Sequence, residues 1–200
     1  MGWPQQGMPQ QRPSSRRWVW VVVAAVAVLA VLVVGALFVV GKKVTPTNST
    51  PAAATFTDPA NHFSATYQSK PVEEDRNTTV SGRSITEVLW TNTIDANTAE
   101  IIGYANFPPD FTVVTPNAAL DGSVTGEVTN THGTLLSKTF STFQGFHSVD
   151  AVISASGGYI ETRTVLAGRT LYVLVVTSLN NPPELFSGFA NSLHILNHAA

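Results

Sequence analysis

The chain has no cysteine among its 200 residues. That absence excludes a disulfide framework, a thiolate metal site and a cysteine nucleophile, and it excludes a lipid-bearing cysteine as an anchor. Charge is scarce too, at 12% of the residues, and the basic part of it is gathered at one end. Arg12, Arg16, Arg17, Lys42 and Lys43 are five of the 11 basic residues, so from Val44 onward six basic residues face 13 acidic ones, a formal −7. A domain of that sign does not attract phosphate backbones, so nucleic acid is not an expected partner. Also missing are a G-x-S-x-G turn, a phosphate loop and a dinucleotide fingerprint. No cofactor is implied.

What is present begins with a long apolar run. Trp18 to Val40, WVWVVVAAVAVLAVLVVGALFVV, is 23 residues without a charge. As a helix it would reach roughly 34 Å, enough to cross a hydrocarbon core about 30 Å thick. Three Arg precede it and two Lys follow, which orients the N-terminus toward the cytoplasm and the rest of the chain outward. A cleaved signal peptide would have a shorter apolar region and a small-x-small site; after Ala36 come Leu37, Phe38, Val39 and Val40 instead. The run reads as an uncleaved single-pass anchor with ends at Trp18 and Val40. It has no pair of small residues four apart, so nothing in it favours tight helix association.

On this reading residues 1–17 are a Pro/Gln-rich cytoplasmic tail and residues 41–57 a Thr/Pro/Ala spacer. Residues 58–197 form one extracytoplasmic domain. His62–Tyr67 alternates Phe63, Ala65 and Tyr67 on one face, a half-buried strand. Ser69–Gly82 is a loop or weak edge. Ile85–Thr93, with Val88 and Trp90 aligned, and Thr98–Phe107 are strands, the latter stopped by Pro108 and Pro109.

The period then changes to helical. Thr115 is a cap, Pro116 the first position, and Leu120, Val124 and Val128 form a stripe that Gly133 is expected to end. Gly122 and Gly126 weaken this helix but allow close approach to a sheet. Four strands follow: Leu135–Phe143, broken at Gly145-Phe146, then Val149–Ser154, Tyr159–Leu166 and Thr170–Thr177. Their short Gly turns make neighbours antiparallel. Continuously apolar LYVLVV is expected at the centre of the sheet; Glu161 and Arg163 are expected to face out. A last helix starts with Asn181 as cap, Pro182 and Glu184, and packs Leu185, Phe189 and Leu193 inward. The expected fold class is α+β: an antiparallel sheet of about six or seven strands with a mid-domain helix and a C-terminal helix.

This order of elements resembles PsbP-like domains of the Mog/PsbP-type fold over about residues 58–196. The resemblance rests on Gly145-Phe146-His147, Gly168-Arg169-Thr170-Leu171-Tyr172 and Phe189-Ala190-Asn191-Ser192-Leu193. His147 stands where that family usually has Pro, and Leu193 where it has Phe. The tail, the Val/Ala span and the Thr/Ala-rich, Cys-free ectodomain are similar to actinobacterial cell-envelope proteins. The resemblance implies a fold and, by analogy, partner binding; it implies no reaction.

Candidate chemistry is thin. His194 and His198 are four apart but trail the last helix, where fraying is expected, so no metal is assigned. His147, Ser148 and Asp150 have the residue types of a hydrolase but alternate across a strand. Glu73-Glu74-Asp75 reads as a solvated run. Trp90, Phe107, Phe111 and Phe146 are large apolar residues near strand ends that read either as core or, with Pro108 and Pro109, as a candidate interaction rim. The first functional expectation is a membrane-anchored, non-catalytic interaction module of the cell envelope, bound to the bilayer through residues 18–40 and to an envelope protein. The alternatives are a carrier of a small apolar ligand or lipid, and a hydrolase with an unfamiliar site.

Overall fold

Period-two burial sets the architecture. The computed structural model describes residues 53–60, 62–80, 83–109, 115–155, 158–180 and 183–199. The expected tail, the run Trp18–Val40, most of the spacer and Phe111 lie outside them. Among the described residues no helix is long and apolar enough to cross a bilayer.

The described residues form ten strands and two helices, in order β1 (Ala54–Thr57), β2 (Phe63–Tyr67), β3 (Val72–Val80), β4 (Arg83–Thr93), β5 (Ala99–Asn106), α1 (Pro116–Thr131), β6 (Thr134–Phe143), β7 (Phe146–Ala155), β8 (Gly158–Ala167), β9 (Thr170–Ser178), α2 (Pro183–Ser192) and β10 (His194–Ile195). Seven strands make one antiparallel sheet in the order β3-β4-β5-β9-β8-β7-β6; β1, β2 and β10 make a second, small sheet. The large sheet is two meanders, β3-β4-β5 and β6-β7-β8-β9, joined where β9 pairs with β5. The apolar strand β9 is thus the middle of seven, as its composition requires.

Helix α1 covers one face. Thr115 caps it by accepting from the Ala118 N–H at 3.3 Å, with Pro116 in the first turn. Leu120, Val124 and Val128 pack on Ile101, Val149, Ile153, Leu171 and Val173. The left-handed residue that ends α1 is His132 (φ 51°), one before the expected Gly133. Gly133 serves by its size: a Cβ there would lie 2.6 Å from Ile153 and 2.9 Å from the Ser154 carbonyl oxygen.

The other face is aromatic and is covered by α2 and the small sheet. Phe63, Tyr67, Phe186, Phe189 and Leu193 pack on Trp90, Ile102, Tyr104, Tyr172 and Leu174. Two expectations need correcting on this face. Glu161 is buried, and Arg163 is half-buried in a bidentate pair with Asp150, both contacts at 2.8 Å, over the Phe143 ring. They point toward α2 because residues 161, 163, 165 and 167 share a side, and Val165 and Ala167 belong to this core. The spacer also ends earlier than expected: Ala54–Thr57, inside residues 41–57, pairs with β2 as β1.

Candidate interaction surface

The structure does not bring the expected rim together. Trp90 is buried on the α2 face, while Phe107 is buried on the α1 face; adjacent strands set these sides by register, which residue type alone does not reveal. Phe146 is half-buried on the α2 face with its ring 5.0 Å from that of His198. Of the prolines, Pro108 is half-buried and Pro109 exposed.

What Trp90 does is structural, and sequence reading missed its partner. The indole Nε1–H donates to Asp58 Oδ1 at 3.2 Å. The Asp58 Oδ2 atom accepts from the His62 backbone N–H at 3.1 Å and lies 3.2 Å from His62 Nδ1. His62 stacks on Tyr104, ring centroids 4.3 Å apart, and Phe56 of β1 lies 4.5 Å from the Trp90 ring. The His62 carbonyl accepts from the Leu196 N–H at 2.9 Å, the Asn197 N–H at 3.2 Å and the Tyr172 hydroxyl at 3.3 Å. Burial, and then the charge of Asp58, hold the Tyr104 and Tyr172 hydroxyls well above the usual phenol range, so both stay donors. This junction fastens both ends of the folded domain to the large sheet. The available signal was modest: an indole N–H inside a strand needs an acceptor.

The C-terminal segment is therefore docked, contrary to the expected fraying. His194 and Ile195 pair with Ser64 and Phe63. Gln144, at φ 51° in the β6–β7 turn, donates from Nε2 to the Leu193 carbonyl at 2.6 Å and accepts from the Ile195 N–H at 3.0 Å. A second polar clamp holds the end of β2. Glu100 Oε2 accepts from the Gln68 N–H at 3.0 Å and from Asn92 Nδ2 at 2.9 Å, and burial raises the Glu100 carboxyl despite these bonds.

The Ser, His and Asp types expected to alternate do so. His147 is exposed, Ser148 is buried and 2.8 Å from the Ser141 hydroxyl, and Asp150 is occupied by Arg163. Among the described residues no group of three His, Asp or Glu could hold a metal ion. An open depression of about 240 Å³ lies at the sheet end beside Asp95, Asn97, Thr98, Ser178 and Leu185. It is shallow and away from the interface of α1 with the sheet.

The two edges of the large sheet differ. At one edge β3 begins Val-Glu-Glu-Asp-Arg, with Glu73, Glu74 and Asp75 exposed. At the other, β6 is exposed along nearly its whole length, on both sides, and presents Leu135, Leu136 and Phe140 at 38%, 53% and 40% exposure. Its one charge, Lys138, is paired with Asp121 of α1. The signal in the sequence was the low charge of TLLSKTFSTF, which marks an edge without the charged guards such strands usually have.

No family model matches the chain, and no curated protein matches it. Among solved structures, cyanobacterial PsbP (CyanoP) from Synechocystis sp. PCC 6803 superposes with a TM-score of 0.51 at 10% identity, covering 76% of this chain and 98% of that one. The fold is therefore PsbP-like. A crystal structure from Bacteroides thetaiotaomicron has a TM-score of 0.38 at 13% identity, over 72% of this chain and 49% of that one.

Proposed function

We propose that this protein is a single-pass, membrane-anchored component of an actinobacterial-type cell envelope, and that its PsbP-like domain is a non-catalytic module for binding other proteins outside the cytoplasm. The observation that carries the reading is the uncharged run of 23 residues, Trp18–Val40, separated by a short Thr/Pro/Ala segment from a domain whose first strand, β1, is packed onto its own aromatic core. A tether fixed in this way holds the domain at the bilayer surface and leaves its sheet edges for partners.

Two other readings have less support. A carrier needs several hundred Å³ between helix and sheet, and Leu120 and Val124 are buried against aliphatic neighbours there. A hydrolase needs converging groups, and His147 lies on the opposite side of β7 from Ser148 and Asp150. The test is chemical cross-linking in intact membranes, comparing the full chain with a version ending at Thr57. The expected result is a cross-linked envelope protein with the full chain alone. Identical products from both, or none, would remove the reading.

A further inference from the structure

Strand β6 leaves one side of ten residues unpaired by any described strand, and the rest of the domain does not crowd it. An edge this long and this poor in charge is a template for another strand. The chemistry of the edge selects the occupant. Lys138 already contacts Asp121 and lies 5.6 Å from the Phe140 ring centroid, so an acidic strand would find no free cation. A strand of Ser, Thr, Leu and Phe without carboxylates fits, and β6 is itself such a strand, its one lysine already paired with Asp121.

We propose that β6 is the seam of a two-fold dimer in which two copies of this chain pair their β6 strands antiparallel about Thr139. In that register Thr139 faces its own copy, Ser137 faces Ser141, and Lys138 faces Phe140. No lysine stands opposite a lysine, and each ammonium meets a second aromatic face. Ser137, Thr139 and Ser141 align with Val152, Asp150 and Ser148 of β7, so they share the α2 side, while Lys138 and Phe140, aligned with Ala151 and Val149, share the α1 side. Both sides therefore match across the axis, and two seven-stranded sheets become one.

The bulge between Leu135 and Ser137 ends the regular run and fixes this register rather than a longer one. About six inter-chain backbone hydrogen bonds would form, within the range of about 5–15 that an interface carries. The β3 edge cannot do the same. Its run Glu73-Glu74-Asp75 would set carboxylates beside carboxylates in any self-pairing near its N-terminal half. The dimer does not depend on membrane anchoring.

Because the chain has no cysteine, an introduced thiol is the sole one. Directly opposed residues in an antiparallel pair have Cα atoms about 4.5–5.5 Å apart, within disulfide reach. The full chain is made with Thr139→Cys on β6, or with Asp75→Cys on β3, both at exposed positions, and is oxidised mildly at equal concentration. The expected result is at least tenfold more covalent dimer from T139C. A mixture of S137C and S141C chains should cross-link, and S141C alone should not. Equal yields from T139C and D75C would overturn the proposal. So would strong self-linking of S141C, or capture of a different protein by the T139C chain in place of its second copy.

Discussion

Asp58 and Glu127 are buried carboxyl groups on opposite faces of the same sheet. Asp58, on the aromatic face, has the Trp90 indole and the backbone and ring of His62 around it. Glu127 is fully buried under α1 against an aliphatic sheet, and neither of its carboxyl oxygens makes a full hydrogen bond. Burial pushes the Glu127 carboxyl up to about 8, and the nearby Thr162 hydroxyl offsets this only in part. The difference shows two ways to keep an acid inside a protein. One surrounds it with donors and makes it a fastening; the other keeps its proton on and makes it a packing group.

Removing each acid should therefore have opposite consequences. Asp58→Ala should be the most damaging change, because it strands the Trp90 and His62 donors in the core. We expect a loss of about 3 kcal/mol in urea unfolding, together with loosening of residues 194–199, read as faster amide exchange there. A loss under about 1 kcal/mol would mean that the junction is incidental.

Glu127 makes stability depend on pH. Its carboxyl holds a proton more tightly in the folded chain than at the ordinary value of 4.5. The stability it lends is complete below about pH 4.5, declines as pH rises, and is gone above about pH 8. Glu127→Gln should be more stable than the parent at pH 8 by roughly 2 kcal/mol, after allowance for relaxation around the charged form. Its slope between pH 5 and 8 should shrink to what Glu100 and Glu161, also raised by burial, contribute. An unchanged slope in thermal melts would show that Glu127 is not the titrating group.

Trp90→Phe sharpens the contrast by deleting one donor to Asp58 while keeping most of the ring. We expect a cost of about 1–2 kcal/mol without a new pH dependence over that range. Phe140→Thr, at a surface position of β6, should change stability by no more than about 0.5 kcal/mol. A large loss in a monomer would mean that the Phe140 ring is packed against its own chain rather than left for a partner.

Much of this fold was legible wherever a face repeats. Phe63, Ala65 and Tyr67 alternate and are buried; Leu120, Val124 and Val128 recur every four residues beneath a Thr115 cap. Apolar β9 is central for the same reason. What stayed hidden depends on strands far apart in sequence. Glu161 and Arg163 look exposed until Asp150 and α2 are brought beside them. His194–Ile195 is too short to read as a strand and exists because β2 has a free edge. Trp90 and Phe107 are both core, as their type allows, but that they lie on opposite sides of the sheet is not legible until register assigns it. The Asp58 fastening was missed because its members come from β4 and the loop after β1.

Protease treatment of intact cells, with a different epitope tag at each end of the full chain, tests the proposed location most directly. Cleavage in the Thr/Pro/Ala segment before β1, residues 41–53, should release the C-terminal tag with the folded domain, while the N-terminal tag stays protected until the cells are opened. Protection of the C-terminal tag in intact cells, or its recovery in the soluble cytosol, would contradict the account.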